Sequence, residues 1–150
     1  MSNWCGFSLK AVGRDEESVK RLLGIMEYKD AEFFIYRVQE VAMDGDIRDE
    51  GGFKTAVLNG YVAWDCTPWF YGESTGETSK TGAKYSNLRE VCKSLGIGIE
   101  VWAREPEFGF EKHGLIDCKG DIVFADEREW DGSDNPDYGE FKSALEISGI

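Results

Sequence analysis

The stretch SNLREVCKSLGIGIEVWAREPEFGFEKHGLIDCKGDIVFAD, residues 86–126, decides the fold, because it reads without interruption as helix, strand, strand, strand. Asn87 followed by Glu90 has the spacing of a capping box, and Leu88, Val91, Cys92 and Leu95 fall at i, i+3, i+4 and i+7 on one helical face. Gly96 closes that helix. The period then changes to two, with Ile97, Ile99, Val101 and Ala103 on one side of a strand and Gly98, Glu100, Trp102 and Arg104 on the other. Glu105-Pro106-Glu107 turns the chain. Phe108, Phe110 and Lys112 alternate with Gly109, Glu111 and His113, Gly114 permits a bulge, and the strand runs on through Leu115 to Cys118. A second turn at Lys119-Gly120 leads into a returning strand from Asp121 to Ala125. The pattern predicts a helix laid on an antiparallel meander.

Upstream, Cys5, Phe7, Leu9 and Ala11 form the core side of a first strand that Gly13 ends. Asp15 is a good N-cap, Glu16 and Glu17 suit a helix N-terminus, and Val19, Leu22, Leu23 and Met26 form an apolar stripe, so a helix is expected from Glu16 to Glu27. Ala31 to Val41 reads as a second strand. Residues 44–52, with Asp44, Asp46, Asp49, Glu50 and glycines 45, 51 and 52, read as an exposed loop. Phe53 to Asp65 returns to strand composition around Asn59-Gly60, a hairpin turn or bulge. The aromatic run from Cys66 to Tyr71 is expected to plug one end of a sheet, and Gly72 to Lys84 to form a loop. Phe141 to Ile147 can add a last helical turn or two, with Phe141, Ala144 and Leu145 as its apolar side. The order is βαββαβ with strands added at the end. Its simplest folding is an α+β ferredoxin-like plait, an antiparallel sheet with two helices on one face and an added C-terminal β-meander. Leu22, Leu23, Leu88, Val91, Leu95, Ile99 and Val101 are expected to share its core.

A chain of 150 residues suits one core better than two, so residues 1–150 are read as a single domain with an acidic C-terminal segment at about 126–140. An apolar content of 41% excludes a disordered chain even at 31% charged residues. A formal net charge of −12 repels nucleic acid and anionic membrane and favours a basic partner. No apolar run approaches the ~20 residues that span a bilayer, and no basic segment with an apolar h-region opens the chain. A cytoplasmic protein is expected. Cys5, Cys66, Cys92 and Cys118 contain no CxxC pair, so free thiols are expected rather than disulfides or a zinc site with His113.

Asn3-Trp4-Cys5, the segment from Ala63 to Trp69, and the run from Leu88 through Gly96 to Ile99, Val101 and the glycine-punctuated hairpin resemble a family of phage and plasmid accessory proteins with a ferredoxin-like domain. The resemblance covers most of the chain. It implies the plait and a mobile-element origin, and it brings no functional residues with it.

No catalytic residue, metal ligand or cofactor is expected: the chain lacks a phosphate loop, a serine nucleophile elbow and an HExxH pair. His113, with Glu111 on the same side of its strand and Asp117 nearby, is the one candidate general base, and the alternative readings are a small enzyme using it or a purely structural or interaction domain. Phe34, Tyr36, Trp102 and Phe110 lack the basic flank that an RNA-binding plait needs. The remaining signal is acidic. Asp126, Glu127, Glu129, Asp131, Asp134 and Asp137 form the principal partner-binding face, with Asp46, Asp49 and Glu50 as a second candidate. Carboxylate runs are ordinarily solvated faces that keep a protein soluble. The sharper expectation is that they stand in for phosphates on a basic nucleic-acid-binding protein of a host defence system, such as the DNA-reading arginines of a CRISPR effector. Trp64 and Trp69 are the next surface to consider.

Overall fold

Ten residues, Trp4–Gly13, form the strand on which the architecture is built, because both of its edges are paired. In this computed structural model, residues 4–35, 38–63, 82–105, 109–129 and 140–150 are described. The elements in chain order are β1 (Trp4–Gly13), α1 (Glu16–Met26), β2 (Phe33–Phe34), β3 (Val38–Glu50), β4 (Phe53–Ala63), β5 (Lys84–Tyr85), α2 (Leu88–Leu95), β6 (Gly98–Glu105), β7 (Phe110–Ile116), β8 (Ile122–Glu129) and α3 (Ala144–Ser148). Six strands make one antiparallel sheet in the order β3-β4-β1-β6-β7-β8, and β2 pairs with β5 in a separate parallel ribbon.

Local chemistry sets the helices. Asp15 accepts from the Ser18 backbone N–H at 2.8 Å to start α1, and Asn87 Oδ1 accepts from the Glu90 N–H at 2.9 Å to start α2. Gly96 ends α2 at φ 67°, a conformation that glycine adopts without a Cβ penalty. On the first face of the sheet, Phe7, Leu9, Leu58, Ile99, Val101 and Ile116 pack with Val19, Leu22, Ile25 and Met26 of α1 and Leu88, Val91 and Cys92 of α2. Leu23 and Leu95 are partly buried at the margin of that cluster. Gly60, mid-strand in β4, faces Phe7: a Cβ there would lie 2.9 Å from the Phe7 ring, so the turn expected at Asn59-Gly60 is instead a place where a ring needs room.

The ferredoxin-like plait is overturned. The molecule is mostly antiparallel sheet with short helices of 11, 8 and 5 residues, and the strands expected as an appended meander complete a six-stranded sheet. The physical reason lies in β6, all eight of whose residues are buried. A strand buried on both faces needs cover on both, and the second face is packed by Val12, Leu115, Ala144 and Ile147 with Phe53 and Phe124, α3 supplying the cover.

Three further expectations change. Only Phe33–Phe34 of the strand expected at 31–41 belongs to a separate element, and β3 begins at Val38. The acidic loop at 44–52 is strand as far as Glu50, followed by a two-residue turn in which Gly51 and Gly52 both have positive φ, 57° and 86°. Exposed carboxylates are compatible with a strand there because β3 is a sheet edge with one ladder among the described residues. The last helix is rotated from the expected face, burying Ala144 and Ile147 and exposing Leu145. Among the described residues, no helix is long and apolar enough to cross a membrane.

Candidate functional site

The residues opposite the core side of β6 meet those of its neighbours by register. Lys10 lies across from Glu100, Trp102 from His113, Arg104 from Glu111, His113 from Asp126, and Glu111 from Arg128. Period two therefore places acids, bases and aromatic rings on one face over β1, β6, β7 and β8.

Glu100 is fully buried, and its carboxylate accepts from the Lys142 backbone N–H at 2.6 Å, with His113 Nε2 2.6 Å from its other oxygen. A carboxylate shut away from water is tolerated only with such partners. The His113 ring stacks on Trp102, 3.6 Å between centroids and 8° from parallel, and Phe124 meets it edge-on at 4.7 Å. Glu111, also buried, receives Arg104 Nε and Arg128 Nε at 2.5 Å each, one on either oxygen. The carboxylate expected to orient His113 is thus occupied by two arginines, and Asp117 instead accepts the Lys119 and Asp121 backbone N–H groups in the β7–β8 turn. Glu100 takes the orienting role. In the neutral ring, an Nε2–H donated to Glu100 leaves Nδ1 as an acceptor, and Nδ1 has no partner among the described residues. Trp102 Nε1 is buried with no hydrogen-bond partner among the described residues.

Trp102, Glu111, His113, Asp126, Glu127 and Arg128 line a cleft of about 170 Å³. That is small beside the ~300–1,000 Å³ of ordinary ligand pockets. At the far side of the network, Lys10 Nζ bonds Glu50 at 3.0 Å and the Lys142 carbonyl at 3.0 Å, and Glu50 also accepts the Ala144 backbone N–H. The Lys10 ammonium, aided by the Ala144 N–H, holds the Glu50 carboxyl below its ordinary range against the opposing effect of burial. The C-terminal segment is in this way strapped to the second face by charged hydrogen bonds as well as by Ile147.

The expected acidic site residues divide. Asp126, Glu127 and Glu129 are exposed on β8, one edge of the sheet; Asp46, Asp49 and Glu50 are on β3, the other edge, five strand spacings or roughly 24 Å away. They do not form one face. Asp49 is paired with Lys54, and Glu50 belongs to the strap, which leaves Asp46 of that group exposed and unpaired among the described residues. Asp131, Asp134 and Asp137 lie outside the described residues, as do Trp64, Trp69 and Cys66. Among the described residues no disulfide joins Cys5, Cys92 or Cys118, and there is no group of three or more side chains that could hold a metal ion. Sequence reasoning missed Glu100, Arg104, Arg128, Lys10 and Lys142. The signal that could have found most of them was the polar half of the β6 alternation, read as a second buried face instead of a solvent face. No family model, no curated protein and no solved structure matches the chain.

Proposed function

We propose that this protein acts by binding: its β8 edge docks on the cationic surface of a basic nucleic-acid-processing protein and keeps the nucleic acid out. The observation that carries this reading is the state of Asp126, Glu127 and Glu129. All three are exposed, none has an ion-pair or hydrogen-bond partner among the described residues, and all are held on a strand in register with β7. Carboxylates carried on a strand lose less freedom on binding than those on a floppy tail, and Glu127 and Glu129 stand ~6.8 Å apart on one side of it. The net charge of −12 adds long-range attraction to a cationic groove and repulsion of the polyanion it displaces. The phage-like resemblance directs the search to host defence proteins, CRISPR effectors among them.

The test is displacement of a labelled DNA duplex from such a protein at low and moderate salt. Replacing Asp126, Glu127 and Glu129 together by Asn and Gln should weaken inhibition at least tenfold and flatten its salt dependence, with the thermal midpoint nearly unchanged. Undiminished inhibition by that variant would end the proposal. A second reading, a small enzyme using His113 as a base, is favoured by one observation, the buried Glu100 that orients the ring beside the cleft. It predicts an activity that His113→Ala removes and the acidic-edge variant retains.

A further inference from the structure

We infer that β8 is an acceptor for strand addition: an extended segment of the partner, carrying lysine or arginine at alternate positions, hydrogen-bonds to its free edge as a seventh strand. This deepens the binding reading above and rests on it. Both outer strands of the sheet have an edge without a ladder among the described residues, and they differ in what that edge offers. The β3 ladder is interrupted between Gln39 and Ala42 and again between Asp44 and Arg48, with Glu40 and Gly45 at positive φ, 54° and 75°. Bulges of this kind twist an edge away from further pairing. In the β8 ladder the register shift falls at one end, between the Leu115–Phe124 and Ile116–Ile122 pairs, and from Phe124 to Glu129, opposite Phe110, the register with β7 is unbroken over six residues or ~20 Å of strand.

Charge selects the occupant. A regular edge bearing Asp126, Glu127 and Glu129 places like charges opposite one another when a second copy of itself approaches, which opposes self-pairing. An added strand with Lys or Arg at alternate positions presents them all on one face, where they make favourable cross-strand pairs with Glu127 and Glu129, which project with Lys112 and Phe110; Asp126 projects with His113 on the other face. On the Asp126 face the added strand would pass beside the cleft of Trp102 and Arg128, where one of its side chains can be selected. The edge therefore refuses acidic and self-complementary strands and admits a basic one.

The test uses the full chain and two synthetic octapeptides: alternating lysine and threonine, and the same sequence with every backbone nitrogen methylated, which keeps the charge and removes the main-chain donors. Isothermal titration and amide hydrogen exchange are the readouts. Strand addition predicts that the first peptide binds, that amides of Ile122–Glu129 gain protection, and that the methylated peptide binds at least about tenfold more weakly, the loss of two or more net hydrogen bonds. Equal binding of the two peptides, both weakened by the Asp126, Glu127 and Glu129 replacements, would overturn strand addition while leaving the charge-based reading standing. Loss of binding by neither peptide in that variant would overturn both. Edge amides of β8 already fully protected in the free protein would also overturn the inference.

Discussion

Replacing Gly98 by alanine should loosen α3 from the sheet, and the sign of the effect makes the substitution informative. A Cβ at Gly98 would lie 2.7 Å from the Ile147 carbonyl oxygen and 3.0 Å from its Cγ2. The first contact is with backbone, so α3 itself has to move. Glycine within a strand is disfavoured against alanine by roughly 0.5–1 kcal/mol, so without that contact the substitution would stabilise. Overpacking of a close contact costs ~1–3 kcal/mol and should win. Full release of α3 would forfeit the burial of Ile147, ~1.5–3 kcal/mol, together with the bonds from the Lys142 N–H to Glu100 and from the Ala144 N–H to Glu50, ~1.5–3 kcal/mol each as hydrogen bonds to charged groups. Because that total exceeds the overpacking cost, the helix should shift and stay docked. Chemical denaturation should then show stability lower by about 1 kcal/mol, the overpacking cost less what alanine returns, at an unchanged m value, with a fall in Tm of ~2–4 °C for each kcal/mol. Ile147→Ala alone should cost ~2–5 kcal/mol. With Ile147 already truncated, one of the two contacts is gone and the helix is looser, so Gly98→Ala should cost at least ~0.5 kcal/mol less than it does in the native chain. A stabilising Gly98→Ala, or strict additivity of the two changes, would refute the close approach of α3 to β6.

Leu22→Ala should destabilise by ~2–5 kcal/mol, since Leu22 is fully buried between α1 and the sheet, and urea denaturation measures it. Gly60→Ala should lower stability by ~1–3 kcal/mol through its approach to Phe7, and Phe7→Leu in the same chain should restore part of that loss. The Glu50 carboxyl titrates lower folded than unfolded because Lys10 bonds it, so its contribution is present above the ordinary carboxylate range near pH ~4.3 and is lost as pH falls through the folded value. Glu50→Gln should accordingly flatten the acid limb of a stability profile below pH ~4.5 and lower stability at neutral pH. Burial pushes the Cys92 thiol well above its ordinary range and also raises that of Cys118, but Cys118 is only partly buried, so iodoacetamide at pH ~8 should reach and modify it before Cys92 in folded protein, as read by peptide mass. Alkylation of Cys92 at the rate of a free thiol would contradict its place in the core.

What the chain states locally, it states well. The N-caps Asp15 and Asn87, the left-handed Gly96, the stripes of α1 and α2 and the core side of β6 are all properties of neighbouring residues, set by backbone hydrogen bonding and by periods of 3.6 and two. The exposure of Asp126, Glu127 and Glu129 was legible for the same reason: a run of charge has nowhere else to go unless each member finds a partner. Whether partners exist is a long-range question. Lys10 meets Glu50 across 40 residues, Ala144 meets Glu50 across 94, and Glu100 meets Lys142 across 42. These contacts make structural ties of Glu50, expected to bind a partner, and of Glu100, which the alternation had placed only on the other side of its strand. Periodicity also assigns a residue to one of two faces without saying what covers each face. The alternation of β6 was correct, and only the docking of α3 and the arrival of β7 and β8 made its polar side an interior. The sequence by itself determined the helices, most of the strands and the inward side of each; tertiary structure decided which strands became edges, which carboxylate holds His113, and which acids stay free, because those depend on pairings between segments that no local signal encodes.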